Sequence, residues 1–96
     1  MEKKVNVKVV LTSPDHKVLE ISGNAGDALQ KHKVNQNALL LVREGSVVYT
    51  EKNQEQNLSA GECLSIPAEV FHKVTCLDTA KCFVVMSNQT KMKFEK

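Results

Sequence analysis

The sequence predicts an all-β fold, either a sandwich or a barrel. Apolar residues alternate with polar ones in Val5–Leu11, which is the period-two pattern of a half-buried strand. β-branched residues, mostly valine, are frequent along the chain. Turn-forming residues recur every 6 to 12 residues. Short strands separated by turns at that spacing are typical of sandwiches and barrels.

The length and composition indicate a single globular domain and argue against membrane and nucleic-acid-binding proteins. The 96 residues are 42% hydrophobic, which is enough for a single domain, expected over residues 1–96. No apolar run approaches the ~20 residues of a membrane span, and the first residues lack the apolar core of a signal peptide. We therefore expect a cytoplasmic protein that does not contact a membrane. A net charge of +2 and four aromatic residues do not indicate nucleic-acid binding.

The first half of the chain contains three predicted strands. Val5–Leu11 alternates, and Val18–Ile21 follows as a second short strand. The segment Asp27–Gln30 is the one helical candidate, and it is too short for more than a single turn. Ala38–Val42 is a continuous apolar run of strand length, so we expect it to be buried on both faces.

Five further strands are predicted in the second half, each bounded by turn residues. They are Val47–Thr50, Cys63–Ile66, His72–Cys76, Cys82–Met86 and Lys91–Phe94.

Three residues define the turns around these strands. Gly45 lies between two apolar strands, where we expect a tight turn with positive φ, and Gly61 has a similar position. Pro67 has no N–H for a ladder, so it is expected to end the strand before it.

The three cysteines do not form a recognisable metal or disulfide motif. The chain has an odd number of cysteines, and no two of them form a C-x-x-C pair; they are Cys63, Cys76 and Cys82. We therefore expect reduced thiols that act as small hydrophobic side chains. One alternative remains open at this point. If residues 77–81 form a hairpin loop, Cys76 and Cys82 would lie opposite each other and could form a cross-strand disulfide.

Two spaced motifs carry a family resemblance. In the first, Gly26 is followed after five residues by His32, and Gly45 ends the motif. In the second, Gly61 is followed after five residues by Pro67 and then by His72. The spacings match G-x5-H-x-H-x3-E-x6-G and G-x5-P-x-G-x2-H-x3-N, so the chain resembles a small single-domain cupin. Motif 1 covers about residues 26–45 and motif 2 about 61–76. The resemblance implies a jelly-roll barrel, the double-stranded β-helix.

The resemblance also implies a metal site, which this sequence only partly retains. Cupins hold a metal with three histidines and one glutamate. His32 and His72 match two of these ligands, whereas Val34 stands at the position of the middle histidine and Ala38 at that of the glutamate. Neither Val34 nor Ala38 has a donor atom. We therefore expect no cofactor, the alternative being a weakly bound divalent metal at His32 and His72.

The period-two rule for strands predicts which side chains would surround His32 and His72 in a ligand pocket. If position 38 faces inward as in the family, then alternate residues of two strands line the barrel interior. The result is a largely apolar pocket with two imidazoles. Its predicted lining is His32, Val34, Ala38, Leu40, Val42, His72, Val74 and Cys76. The sequence assigns no catalytic residue.

Three functions are consistent with these residues. The first is a non-enzymatic protein that binds a small molecule in the apolar barrel. The second is a metal-dependent enzyme of the dioxygenase or isomerase type that uses His32 and His72. The third is a regulatory module that acts through a partner. We also expect a homodimer, because the β-prone segments Val5–Leu11 and Lys91–Phe94 could pair between two chains.

Overall fold

The computed structural model describes residues 3–95 and contains ten strands within them. The strands follow one another along the chain with only short connections. They are β1 (Asn6–Thr12), β2 (His16–Gly23), β3 (Ala28–Val34), β4 (Ala38–Glu44), β5 (Ser46–Glu51), β6 (Gln54–Ser59), β7 (Cys63–Ile66), β8 (His72–Cys76), β9 (Ala80–Ser87) and β10 (Met92–Phe94).

The strands form two five-stranded antiparallel sheets that pack face to face. The first sheet has the order β1-β2-β9-β4-β7, and the second has the order β10-β3-β8-β5-β6. Consecutive strands repeatedly pass from one sheet to the other, as in a jelly roll. The predicted all-β jelly-roll barrel is therefore confirmed. The described residues include no helix long and apolar enough to cross a membrane.

The structure confirms all eight predicted strands and adds two that the sequence pattern did not indicate. These are β3 and β6. The predicted helical turn at Asp27–Gln30 is wrong, because Ala28 already begins β3. The Ala28 N–H donates to the Lys3 carbonyl at 2.8 Å, and Ala28 lies opposite Thr75 of β8. These long-range strand contacts override a helical turn too short to be stable alone.

The prediction for Ala38–Val42 is also wrong in one respect. Ala38, Leu40 and Val42 are buried on the inner face of β4, but Leu39 on the other face is 42% exposed. The fold has two layers, so the outer face of each sheet has no third layer to cover it. An apolar run therefore does not guarantee burial on both faces.

The core lies between the inner faces of the two sheets. It is built from the aliphatic side chains of alternate residues, together with Tyr49 and two cysteines. The sheet registers align these residues into two facing layers. The largest of the fully buried side chains are Leu40, Leu58, His72, Val34, Val42, Val47, Val74 and Cys82.

The predicted turns are confirmed by their backbone geometry. Gly45 has φ of 72° and Gly61 has φ of 91°. Strand β7 ends at Ile66, immediately before Pro67. The turn at Gly45 is tied to the β8–β9 connection, because the Ser46 N–H donates to the Asp78 carboxylate at 2.8 Å.

The structure does not contain the hairpin that would place Cys76 opposite Cys82. Strands β8 and β9 belong to different sheets, so Cys76 pairs with Val47 and Cys82 pairs with Val42 and Ile21. All three cysteines are free thiols, and only Cys63 is exposed.

Candidate binding site

Two histidines meet inside the barrel. Strands β3 and β8 are antiparallel neighbours, and their register places His32 directly opposite His72. Both side chains point inward and are only 2% exposed. The ring centroids are 4.3 Å apart with an interplanar angle of 61°, which is an edge-on contact.

Backbone carbonyls determine which ring nitrogen carries the proton. The His32 Nδ1 atom lies 2.7 Å from the Gln30 carbonyl oxygen, and the His72 Nδ1 atom lies 3.2 Å from the Val70 carbonyl oxygen. A carbonyl oxygen only accepts, so each Nδ1 must be the donor. In both neutral rings the Nε2 atom therefore has the lone pair.

Burial keeps both rings neutral. The pKa of His72 falls from 6.5 to about 4, mainly because burial disfavours the charged ring and also because His32 lies beside it. The Val70 carbonyl and Glu51 oppose this shift but do not reverse it. The pKa of His32 is lowered as well, again mainly by burial. Near pH 7 the pair is thus uncharged and suited to accepting hydrogen bonds.

Two aromatic rings flank the histidine pair. Tyr49 of β5 stacks on His72 with centroids 5.5 Å apart, and Phe94 of β10 lies 5.2 Å from His32. The Tyr49 hydroxyl donates to Glu51 Oε1 at 2.9 Å. Burial and the nearby Glu51 carboxylate raise the pKa of Tyr49, so the phenol stays protonated.

The eight predicted pocket residues are all buried, but they do not all surround one space. His32, Val34, Ala38, His72 and Val74 line a central cavity. Leu40, Val42 and Cys76 lie in the core outside that lining. The cavity volume is about 20 Å³, close to the minimum of roughly 10–15 Å³ that one water requires. The barrel interior is therefore filled with side chains.

The donor atoms at this centre do not fit the metal that the family implies. Val34 and Ala38 line the cavity where two further ligands would be needed, and neither has a donor atom. Within residues 3–95 there is no group of three or more His, Cys, Asp or Glu side chains that could hold a metal ion. A catalytic zinc site has three protein ligands, whereas this centre supplies two nitrogens.

The buried thiols do not supply a reactive group. Burial raises the pKa of Cys76, and the Asp27 and Asp78 carboxylates raise it further. The pKa of Cys82 rises to about 11 through burial and the neighbouring Cys76. Because the thiolate is the reactive form, the raised pKa values make both cysteines less reactive than an exposed thiol at neutral pH.

The sequence pattern missed a second space, which is larger and polar. It has a volume of about 330 Å³ and lies where the β5–β6 hairpin faces β7 of the other sheet. We call it the polar groove. It is lined by Tyr49, Glu51, Gln54, Glu55, Gln56, Leu64, Ser65 and Pro67.

Tyr49 connects this groove to the barrel centre. The ring lines the groove, yet it is only 4% exposed and stacks on His72 behind it. The inward orientation of Tyr49 could have been predicted from the alternation of side chains along β5. No signal in the sequence alone indicated that the β6 glutamines face β7.

Comparison with known proteins identifies the fold independently. The family described as the Cupin domain matches residues 17–87, which is most of the chain. The comparison with curated proteins gives no match.

Several solved structures are similar in fold. A cupin superfamily protein from Desulfitobacterium hafniense has a TM-score of 0.80 at 20% identity, over 91% of this chain and 80% of that one. A cupin-like protein from Thermotoga maritima has a TM-score of 0.84 at 19% identity, over 95% and 75% respectively. A conserved protein of unknown function from Streptococcus pyogenes has a TM-score of 0.78 at 14% identity, over 91% and 76%. Identities this low establish a common fold and nothing about activity.

Proposed function

The chain belongs to the cupin family, and from that premise we propose that it is a non-enzymatic protein that binds a small polar molecule in the polar groove. The difference in volume between the barrel interior and the groove favours the groove over the interior as the binding site. The interior has about 20 Å³ and the groove about 330 Å³. Ligand sites usually have roughly 300–1,000 Å³. A ligand would fit the groove without displacing core side chains.

The chemistry of the groove favours a ligand with hydrogen-bond donors. Glu51 and Glu55 supply carboxylates, while Gln54 and Gln56 supply amides that both donate and accept. The lining contains no cationic side chain. Hydroxyl or ammonium groups would therefore be the natural partners, since hydrogen bonds to an ionised acceptor are the stronger ones.

The groove is partly organised before a ligand arrives. The Tyr49 hydroxyl holds one Glu51 oxygen at 2.9 Å, and Tyr49 itself is fixed by its stacking on His72. A side chain that is already oriented loses less conformational entropy on binding. The His72 ring thus acts as a rigid support behind the groove.

A thermal-shift panel of sugars, polyols and amines tests this function. A ligand at ten times its Kd stabilises the fold by about 1.4 kcal/mol, which raises Tm by at least about 5 °C in a domain of this size. Glu51→Gln keeps the shape of the side chain and removes its charge, so it should reduce the ligand-induced shift. Glu44→Gln, at an exposed position outside the groove, is the matched control.

Two results would count against a groove site. One is a panel in which no compound raises Tm. The other is a stabilising compound whose effect is the same in wild type, Glu51→Gln and Glu44→Gln. Tyr49 is the only tyrosine, and the chain has no tryptophan, so its fluorescence provides a second readout from the groove wall.

The metal-dependent alternative makes a different prediction. Among residues 3–95, the two Nε2 lone pairs support it, but two neighbouring ligands are missing. Elemental analysis of untagged protein should find Fe, Ni, Mn and Zn well below one equivalent. One equivalent of metal that is lost in His72→Ala would instead establish a metal site and overturn the non-enzymatic proposal.

A further inference from the structure

Three lysines line a surface pocket of about 240 Å³ where the end of β3, the β7–β8 connection and β10 meet. We call it the lysine pocket and define it by Lys33, Asn35, Glu69, Lys91 and Lys93. Its three cations and one anion leave a formal charge of +2, which equals the net charge of the whole chain. The remaining charges of the chain therefore balance, and the formal excess lies in this pocket.

The strand register brings two of these lysines side by side. Lys33 of β3 lies directly opposite Lys93 of β10, and opposite side chains of an antiparallel pair project to the same side, with Cβ atoms about 4.5–5.5 Å apart. Lys91 precedes Lys93 by two residues and lines the same pocket. Like charges directly opposite each other destabilise a sheet. An anion bound between the lysines would turn this repulsion into attraction.

Only part of this positive charge is neutralised by the chain itself. The Lys33 Nζ atom lies 3.5 Å from Glu69 Oε1. Neither Lys91 nor Lys93 forms an ion pair with any carboxylate among residues 3–95. Two ammonium groups of the pocket thus lack an anionic partner within the described part of the chain.

The lysines are attached to segments that are already fixed. The Lys33 ammonium group lies over the Phe71 ring, 5.3 Å from its centroid. The Lys91 N–H donates to Asn35 Oδ1 at 2.8 Å, and the Lys91 carbonyl accepts the Asn35 N–H at 3.2 Å. These contacts hold the start of β10 against the end of β3. Less conformational freedom is then lost when an anion binds.

We propose that the lysine pocket binds a phosphate dianion, either free phosphate or the phosphate group of a small molecule. A phosphate group carries a charge of about −1.5 to −2 near neutral pH, which matches the excess charge of the pocket. Lysine binds phosphate as a point charge with three rotatable donors. The site is separate from the polar groove, whose carboxylates would repel such a ligand.

Glu69 is the group that an incoming phosphate would have to replace beside Lys33. Its backbone has φ of 64°, and its N–H donates to the Val34 carbonyl at 2.7 Å. Its carboxylate attracts Lys33 but repels any second anion in the pocket. Removal of this negative charge should therefore strengthen phosphate binding, whereas removal of a lysine charge should weaken it.

Isothermal titration calorimetry with sodium phosphate tests the proposal, near neutral pH and with the ionic strength held constant by sodium chloride. Wild type should bind one phosphate per chain. Lys93→Gln should raise the Kd by about threefold to tenfold, because one charge contact is lost. Lys8→Gln, on β1 of the other sheet, changes the net charge equally and should bind as wild type does.

A variant with the opposite sign keeps the test decisive if Lys93→Gln does not fold. Glu69→Gln should lower the Kd by about threefold, because the competing carboxylate is gone. Glu44→Gln raises the net charge by the same amount at an exposed position outside the pocket and should leave the Kd unchanged.

Absence of phosphate binding to wild type at either of two temperatures overturns the proposal. So does a Kd that is the same in wild type, Lys93→Gln and Glu69→Gln, since a general salt effect does not depend on these side chains. Glycerol 3-phosphate distinguishes the two sources of the anion. Binding as tight as that of inorganic phosphate supports a phosphorylated small molecule, and binding of inorganic phosphate alone supports the free anion.

Discussion

At the scale of single residues, the main feature of this protein is its pair of inward-facing histidines. His32 and His72 are neutral, buried, and each bound to a backbone carbonyl through Nδ1. A neutral imidazole with one satisfied nitrogen is tolerated in an apolar core at modest cost, whereas a charged one is not. The burial and the carbonyl contacts of the two rings are those of satisfied side chains in a core.

The lowered pKa values predict that stability falls in mild acid. The unfolded chain binds a proton at His72 near pH 6.5, but the folded chain does so only near pH 4. As the pH falls from 7.5 to 5, this group alone should reduce the free energy of unfolding by about 2 kcal/mol. His32 acts in the same direction. Urea titrations at the two pH values measure the difference.

Two variants identify the source of that pH dependence. His72→Gln should lose a large part of the decrease between pH 7.5 and 5, and His16→Gln, at an exposed position, is the control variant. Equal slopes in wild type and His72→Gln would show that other groups cause the acid sensitivity.

A second residue-scale prediction concerns a hydroxyl without a partner. Thr90 is 6% exposed, and its Oγ1 has no hydrogen-bond partner among residues 3–95. An unsatisfied buried polar group costs free energy, so Thr90→Val should increase the free energy of unfolding by about 1 kcal/mol. Thr79→Val removes a hydroxyl that donates to Asn24 and should give no gain. Chemical denaturation compares the two, and a loss of stability in Thr90→Val would contradict the reasoning.

At the scale of the element, register depends on a few tight turns. Gly45 joins β4 and β5 with φ of 72°, and a Cβ there would collide with the Thr79 carbonyl and approach Asp78 Oδ1 to 2.6 Å. Gly61 also has positive φ, but a Cβ there would meet no atom within 4 Å. Substitution of Gly61 therefore introduces backbone strain alone, whereas substitution of Gly45 introduces backbone strain and a steric collision.

Alanine at these positions should therefore have unequal effects. Gly61→Ala should cost about 1 kcal/mol of stability from the left-handed backbone alone. Gly45→Ala should cost at least about 3 kcal/mol, because Thr79 and Asp78 must also move. Denaturation midpoints measure both variants. Equal losses would mean that the β8–β9 turn yields easily and does not hold β4 and β5 in register.

The elements that the sequence did not reveal have a common physical cause. In β3, Gln30, Lys31 and Lys33 occupy the outer positions, so the apolar alternation is sparse. In β6 only Leu58 is buried, and the strand forms because it pairs along its whole length with β5. Strong local patterns predicted the other eight strands. Strands held mainly by their neighbours have no such local signal.

At the scale of the whole molecule, the motif spacing predicted more of the fold than of the site. Gly26, His32, Pro67 and His72 indicated the jelly roll and the inward pair. The spacing could not show that side chains fill the interior, because packing density depends on all the facing residues together. For the same reason it could not predict the polar groove, which β5, β6 and β7 form jointly.

A binding site in the polar groove is tested most directly by mapping a bound ligand on the metal-free protein. Titration of ¹⁵N-labelled, EDTA-treated wild type with the most stabilising compound of the panel should shift the amide signals of Glu51, Gln54, Gln56 and Ser65. Shifts concentrated instead at Val34, Ala38 and Val84, around the central cavity, or shifts that appear only after metal is added, would contradict a polar-groove binding protein.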